Sequence, residues 1–240
     1  MNDRVEFDTR SLAIFTLPLD RVHSIARARG GKVNDVVLAV IDAALHDYLA
    51  ARGEDTREPL VALCAKSVRD KHDDRATTQA TALNISLGAP DADIGDRLQQ
   101  VIESSAATKK ETGDMSREAL MDLVMVIVGV LELADRSGVA NLISPSSNVL
   151  VSNVAGPTQG ALYLRGSRLL STFPIATFLP GVNLNITLLS HGNQIDFGMI
   201  ADKQALPDLE LISQGMQKRF AELDKAVLGK KRKTRKQRAN

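Results

Sequence analysis

The sequence predicts an α/β fold, α+β-like in its strand arrangement, with a mixed, partly antiparallel sheet covered by helices. The hydrophobic pattern reads as a strand, two helices, strands, two helices, about four strands and a last helix. The late strands are hairpin-connected, which fits a mixed sheet better than a doubly wound parallel one. No linker is long enough to divide two domains. We therefore expect one domain at 11–228, after an N-terminal extension at 1–10 and before a disordered basic tail at 229–240.

The first elements are a strand and two helices. SLAIFTLPL at 11–19 is typical of a strand that ends at a proline. Asp20 then has the residue type of an N-cap, and the following residues keep apolar side chains on one face of a helix. Asn34 or Asp35 is the expected cap of the second helix, whose apolar residues recur at three- and four-residue spacing.

The middle of the chain adds two strands and two helices. LVALCAKSV, after Pro59, is a mostly apolar run typical of a strand buried on both faces. Residues 82–87 alternate as a second strand, and residues 93–110 and 116–136 have the helical period.

After Pro145 the pattern becomes mainly β. The expected elements are a strand at 148–154, a turn at Gly156-Pro157, broken β structure at 162–179, a strand at 182–190, a turn at 191–194, its hairpin partner at 195–201 and a helix from Pro207 to Leu228. The strand at 182–190 alternates apolar residues with Asn183, Asn185 and Thr187, which therefore share one face.

Composition indicates a cytoplasmic protein. The only cysteine, Cys64, cannot form an internal disulfide, which points to a reducing compartment. The N-terminus is charged and lacks the apolar segment of a signal peptide. The longest apolar run, residues 123–131, is far shorter than the ~20 residues of a membrane span.

The net charge of +1 hides an asymmetry. Residues 230–240 contain seven Lys or Arg and no acid, which leaves 23 basic and 29 acidic residues elsewhere, a net charge of −6. The body therefore has no basic surface of the kind that nucleic acid requires, and nucleic acid is not the expected partner. The tail is predicted to be a solubilising end, with binding to anionic lipid or nucleic acid as alternatives.

Residue patterns predict no catalytic centre and no metal site. The four histidines, His23, His46, His72 and His191, lack metal-ligand spacing. His23 and His46 lie on predicted helices and are interpreted as structural, His72 lies in a polar loop, and His191 lies in a hairpin turn without an evident acid or base beside it. No GxSxG, P-loop or GxGxxG string occurs, and Cys64 lies in a buried strand where a reactive thiol is not expected.

Two polar groups leave both a structural and a functional interpretation open. Asn34 and Asp35 are explained by capping but could also form a site. Asn153, with Gly156-Pro157, marks a tight loop after a strand, where turn geometry and a binding role explain the residues equally well.

Five strings in order resemble the C-terminal domain of the bacterial wax ester synthase/diacylglycerol acyltransferase (WS/DGAT) family. They are GGKVNDVVLAVIDAALHDYL, VSNVAGP, LYLRGSRL with FP, LNITLLSHGNQIDFGMIAD, and LPDL, and the resemblance covers residues 10–228. These enzymes resemble the chloramphenicol acetyltransferase-like, CoA-dependent acyltransferases. The resemblance implies that the chain is one half of such a two-domain fold, with the substrate channel between the halves.

The resemblance implies transfer of long-chain acyl groups from acyl-CoA to diacylglycerol or a fatty alcohol, with acyl-CoA as a substrate and no cofactor. The family's catalytic motif, HHxxxDG, belongs to the N-terminal half, and no such string occurs here. We therefore expect a split, truncated or standalone half that is inactive alone and binds acyl-CoA and a lipid alcohol when paired with an HHxxxDG half. The alternative is a non-catalytic module that binds acyl chains or a partner. Self-association and a peripheral position at membranes or lipid bodies are further expectations.

By resemblance, NDVVLA carries a motif linked to function, and the loop SNVAGP lies at the interface between the halves. The candidates for channel wall or interface are Asn34, Asp35, Ser152, Asn153, Gly156, Pro157 and Asn185. The chain departs from the family's NVPGP at Ala155, from PVSLR at Lys66, and from a common Ser-Tyr pair at Ser190-His191. These departures indicate either relaxed constraint or a divergent pocket.

Overall fold

A six-stranded sheet with helices packed against one face forms the frame of the computed structural model. The structure describes residues 2, 9–54, 57–67, 80–113, 125–126, 129–130, 133, 147–156, 161–177 and 181–237. Its elements are β1 (Arg10–Pro18), α1 (Leu19–Arg29), α2 (Val33–Ala51), β2 (Val61–Ser67), β3 (Ala80–Ser86), α3 (Ile94–Gly113), β4 (Val149–Ala155), β5 (Tyr163–Leu164), β6 (Ser167–Arg168), β7 (Leu184–His191), β8 (Gln194–Asp202) and α4 (Leu209–Gln237).

The sheet has the order β1-β8-β7-β4-β2-β3, and β5 and β6 form a separate small hairpin. The pairs β1–β8, β7–β8 and β2–β3 are antiparallel, whereas β2–β4 and β4–β7 are parallel. The predicted mixed sheet with late hairpins is therefore confirmed. The parallel centre arises because long connections separate β2, β4 and β7 in the chain.

One face of the sheet carries the hydrophobic core. In β1, Phe15 and its neighbours two positions away are buried, whereas Leu12 and Ile14 are 60% and 48% exposed. This alternation follows from the two-residue period of a strand. Phe15 stacks on Phe197 of β8, with ring centroids 4.4 Å apart. These side chains join one core with residues of α1, α2, α3 and α4.

Helix α2 lies at the centre of the helical layer. Of its 19 residues, 14 are buried, and it contacts α1, α3 and α4. The sequence predicted one apolar face, but helices surround α2 so that several of its polar residues are buried as well. Asp42 and His46 are 0% and 5% exposed, which places His46 in the core and not at a surface site.

A buried carboxylate ties α2 to the loop before α3. Asp42 Oδ2 accepts hydrogen bonds from Arg97 Nη1 at 2.6 Å and from the Gly88 N–H at 3.0 Å. Arg97 also donates to the carbonyl oxygens of Ala92 and Pro90, at 2.9 and 2.5 Å. A Cβ on Gly88 would lie 2.7 Å from Arg97 Cγ and 2.8 Å from Asp42 Oδ2, so the approach requires glycine. The guanidinium thus pairs with Oδ2 of the buried carboxylate, and Oδ1 lies 3.3 Å from His46 Nε2.

The start of the first helix and the end of the last helix differ from the sequence prediction. Helix α1 begins at Leu19, directly after β1, with Pro18 at its N-cap and no side-chain cap. Asp20 is therefore not the cap, because no loop separates strand from helix, and its N–H donates to Asn193 Oδ1 at 3.2 Å. Helix α4 continues to Gln237, so residues 229–237 are helical where the sequence predicted a disordered tail after Leu228.

The predicted boundaries elsewhere need smaller changes. Arg10 belongs to β1, and Asn2 Nδ2 donates to the Ser147 and Gly181 carbonyl oxygens at 2.8 and 2.7 Å, so the N-terminal extension contacts the domain. Within the helix predicted at 116–136, the described residues 125–126, 129–130 and 133 are helical. The predicted loop at 69–78, with His72, lies outside the described residues. Among the described residues, no helix combines the length and hydropathy needed to cross a membrane.

We expect the Arg97→Met substitution to lower the free energy of unfolding by about 3–5 kcal/mol, because it leaves the Asp42 carboxylate buried without its guanidinium partner. Urea denaturation followed by circular dichroism would measure the loss. Arg27→Met is the matched control, since Arg27 is exposed on α1 and the change should stay within about 0.5 kcal/mol. Equal stability of the two variants would show that the buried pair does not support the fold.

Candidate functional site

The first turn of α2 lies beside the two central parallel strands. Asn34 forms a hydrogen bond with the Cys64 thiol on β2. In the parallel register, Cys64 pairs with Val151 and Ala65 pairs with Ser152 of β4. The fold therefore brings Asn34 close to the strand pair that carries Ser152. Ser152 follows the core-facing Val151, so the two-residue period of a strand places it on the opposite face of the sheet.

Asp35 caps α2 from inside its first turn. The Lys32 N–H donates to Asp35 Oδ2 at 2.8 Å, and the Asp35 N–H donates to the Lys32 carbonyl oxygen at 3.1 Å. The capping interpretation thus holds for Asp35 from the third helical position, whereas Asn34 points to Cys64 and does not cap. Asp35 is 3% exposed. Its Oδ1 atom has no hydrogen-bond partner in the part of the chain that the structure describes.

Cys64 is unsuited to nucleophilic chemistry. Burial raises the pKa of its thiol to about 12, although the hydrogen bond with Asn34 opposes the rise. Since only the thiolate is a strong nucleophile, Cys64 is inert at neutral pH. This agrees with the interpretation of its strand as buried.

The loop after β4 is shaped by its contact with β7. The Gly156 N–H donates to the Ser190 carbonyl oxygen at 2.9 Å, and a Cβ on Gly156 would collide with the same oxygen. Close approach to β7 therefore accounts for this glycine. Asn153 is exposed just before it, and Pro157 lies outside the described residues.

Asn185 lies on the sheet face opposite α2, away from Asn34 and Asp35. It is 1% exposed, its Nδ2 donates to the Thr177 carbonyl oxygen at 2.5 Å, and its Oδ1 accepts from Thr187 Oγ1 at 2.9 Å. The covering segment is residues 161–177, which we call the arm. The polar face of β7 predicted from the alternation is thus buried beneath the arm and not open to solvent.

The structure also shows a buried histidine–carboxylate pair that the sequence did not predict. His191, expected to lack an acid beside it, places Nε2 2.8 Å from Asp196 Oδ2. The hairpin register pairs His191 with Gln194 and Leu189 with Asp196, so Asp196 is the diagonal neighbour of His191. Diagonal neighbours across a hairpin are within reach of long side chains. The strand register of the hairpin would have predicted this pair, but the prediction of a turn at 191–194 does not specify that register.

Asp196 collects hydrogen bonds from several elements. It is 0% exposed, and it accepts from Thr16 Oγ1 and from the Thr172 N–H, both at 2.6 Å. Burial by itself would raise the pKa of Asp196, but the hydrogen bonds from Thr16, Thr172, His191 and Gln194 outweigh it and lower the pKa. Asp196 is therefore ionised at neutral pH and holds together β1, β8 and the arm.

A cavity of about 240 Å³ lies between the hairpin tip and the arm. It is lined by Ala161, Leu162, Arg168, Leu169, Leu170, His191, Gly192, Asn193 and Gln194. Among the described residues that line the cavity, no Ser, Thr or Cys accompanies His191. Across the described ranges, no group of three or more His, Cys, Asp or Glu could hold a metal ion.

Comparison with known proteins shows which family this chain is similar to. The family model of the WS/DGAT C-terminal domain matches residues 78–224. The Mycobacterium tuberculosis protein named Probable diacyglycerol O-acyltransferase Tgs4 is 32% identical over 222 residues, which are 92% of this chain and 46% of Tgs4. The M. tuberculosis protein named Probable diacyglycerol O-acyltransferase tgs2 is 30% identical over 219 residues, 91% of this chain and 48% of that protein. The chain thus spans about half the length of the curated relatives it matches.

Solved structures share the fold. A wax ester synthase/diacylglycerol acyltransferase from Marinobacter aquaeolei VT8 matches with a TM-score of 0.80 and 26% identity, over 94% of this chain and 51% of that one. The epimerization domain of tyrocidine synthetase B matches with a TM-score of 0.59 and 13% identity, over 96% of this chain and 51% of that one, which shows a common fold alone. By its family match and its relatives, the chain belongs to the WS/DGAT family and corresponds to its C-terminal domain.

Proposed function

We propose that this chain is the C-terminal half of an O-acyltransferase that transfers long-chain acyl groups from acyl-CoA to diacylglycerol or a fatty alcohol. The observation that carries the proposal is the match to the WS/DGAT C-terminal domain over a chain that spans about half of its relatives. The sequence contains no HHxxxDG string. The activity accordingly requires a second half that contains this motif, either in the same polypeptide or in another.

In this proposal the missing half supplies the general base. One of its histidines takes the proton from the acceptor hydroxyl, the oxygen attacks the thioester carbonyl, and the carbon–sulfur bond breaks as the ester bond forms. The proton then passes to the CoA thiolate, so acyl-CoA is consumed as a substrate and no cofactor is needed. The chain described here would form one wall of the channel, with Asn34, Ser152 and Asn153 near one end of the sheet.

An exposed apolar surface supports docking of that second half. The arm exposes six large apolar side chains, and β1 exposes two more on the same sheet face: Leu162, Tyr163, Leu164, Leu169, Leu170, Ile175, Leu12 and Ile14. Ile14 pairs with Gly198, where Ile175 of the arm is in close contact, so the two sets adjoin. A soluble protein rarely leaves so many apolar side chains together uncovered. Since about half of each relative has no counterpart here, we assign this surface to the HHxxxDG half.

We expect the chain alone to release no CoA from long-chain acyl-CoA and diacylglycerol, because general base catalysis, typically worth 10²–10⁴-fold, is missing. Addition of an HHxxxDG half from a WS/DGAT relative should restore ester formation, measured by thin-layer chromatography and thiol release. The same half with its second motif histidine changed to alanine is the control.

Turnover by the chain alone would refute the proposal. A half that binds tightly but restores no ester would favour the alternative, a non-catalytic module that binds acyl chains or a partner. Light scattering on the chain alone should show self-association through the uncovered surface, which the added half should reverse.

Asp35 and Asn34 allow a test of capping against an interface role. Asp35→Ala should lower the free energy of unfolding by about 0.5–2 kcal/mol, because the Lys32 N–H loses its acceptor. Asn34→Ala should cost less, since its partner is a thiol, a weak hydrogen-bonding group. Chemical denaturation and binding of the HHxxxDG half would be measured on both variants. Unchanged stability of Asp35→Ala together with lost binding would replace the capping role by an interface role.

We further propose that the basic end of α4 holds the protein at anionic membrane or lipid-body surfaces. Six of the seven Lys and Arg residues of 230–240 fall within the helical backbone that ends at Gln237. Basic residues near an anionic bilayer contribute ~1 kcal/mol each. A lipid acceptor would be found at such a surface, which is why anionic lipid is favoured over nucleic acid as the partner of this segment.

We expect the full chain to co-sediment with vesicles that contain phosphatidylserine and not with neutral vesicles, and the bound fraction to fall as salt rises. A full-length variant with the six basic residues of 230–236 changed to glutamine should lose this binding. Equal binding of the two proteins to anionic vesicles would refute the membrane role. Binding of the wild type to duplex DNA but not to vesicles would assign the segment to nucleic acid instead.

A further inference from the structure

The arm is held on the sheet mainly by side chains. Residues 169–177 form no strand, and the hairpin of β5 and β6 that precedes them has only two residue pairs. Regular backbone ladders therefore do not determine where the second part of the arm lies. Its position depends on the polar groups that the sheet offers along its path.

The arm approaches the sheet closely at three points, and at two of them polar side chains of the sheet hold its backbone. At the hairpin tip, Gln194 Nε2 donates to the Leu170 carbonyl oxygen at 2.8 Å, and Asp196 Oδ2 accepts from the Thr172 N–H at 2.6 Å. At mid-sheet, the Pro174 carbonyl oxygen sits so close to Gly198 that a Cβ there would collide with it. Beyond it, Asn185 Nδ2 holds the Thr177 carbonyl oxygen at 2.5 Å.

The first point depends on His191. Asp196 Oδ2 accepts from the Thr172 N–H while lying 2.8 Å from His191 Nε2, and Gln194 Nε2 lies 3.1 Å from the same ring nitrogen. His191 therefore sits against both side chains that hold the arm. Arg168 of β6 is a charged residue that lines the same cavity as the imidazole.

We propose that the tip of the β7–β8 hairpin is a clasp for the arm and that His191 is its positioning residue. The imidazole donates to the Asp196 carboxylate and so holds it in the orientation that accepts from Thr172. The same carboxylate accepts from Gln194 Nε2 and keeps that amide directed at the Leu170 carbonyl oxygen. Because the clasp lies beside Leu169 and Leu170, it also sets the shape of the docking surface, a consequence that rests on the proposed function. Fastening of the arm itself does not depend on a partner.

Amide hydrogen exchange of the full chain tests the clasp directly. His191→Phe should reduce the protection of the Thr172 amide by about tenfold or more, the effect of weakening a hydrogen bond to a charged acceptor. Protection of amides in α2 should stay unchanged. His191→Gln, which keeps a donor, should recover part of the protection, and His23→Phe, at an exposed site on α1, should have no effect.

A second variant separates loss of the clasp from general unfolding of the His191→Phe protein. Gln194→Met removes the bond to Leu170 from a partly exposed position and should also reduce protection within residues 170–172. Undiminished protection of Thr172 in His191→Phe, or equal loss across α2 in both variants, would overturn the clasp.

The docking consequence is measured separately. Binding of the HHxxxDG half should weaken at least several-fold in His191→Phe and recover in His191→Gln. If the wild type fails to bind that half, the proposed function is wrong, while the exchange result on the arm still stands. If the wild type and His191→Phe bind equally well, the clasp does not shape the docking surface.

Discussion

The fold depends on one buried ion pair between Asp42 and Arg97. Helix α2 is enclosed by the other helices and the sheet, so a carboxylate at its centre has no access to water. An isolated charge in such a place is very costly, and Arg97 together with the Gly88 N–H removes that cost. The same guanidinium holds the carbonyl oxygens at 90 and 92, which directs the chain from β3 into α3. One charge pair thus fixes the relation of the central helix to the loop and helix that follow β3.

The two faces of the sheet are stabilised by different physics. On the helical side, apolar side chains from every main strand pack into one core, where burial of apolar surface is the main stabilising contribution. On the opposite side, an arm with little regular structure lies over polar and small residues, and hydrogen bonds to Asp196, Gln194 and Asn185 hold it. Directional bonds specify position better than apolar contact does. This side can therefore present a defined surface although it lacks a core of its own.

The difference between the two faces of the sheet bears on what the family relationship implies for fold and for function. The helical side explains why a chain with 13% identity can share the fold, since many combinations of apolar residues fill such a core. The arm side of this chain carries His191 beside a fully buried Asp196. A shared fold does not by itself carry a shared activity, because function resides in sites placed on it. The proposal of acyl transfer consequently rests on the WS/DGAT match and on pairing with an HHxxxDG half.

The sequence alone determined the elements and the class of the fold, because strand and helix periods are local properties of the chain. It also determined the burial of Cys64 and, by resemblance, the family. Tertiary structure decided what local pattern cannot express. The strand–helix junction at Pro18 removed the cap expected at Asp20, and the arm buried the polar face of β7 that alternation alone would place in solvent. Asp42 met Arg97 across 55 residues, and Asp196 met His191 through the register of a hairpin. In each case the deciding contact joins groups whose proximity exists only after the chain has folded.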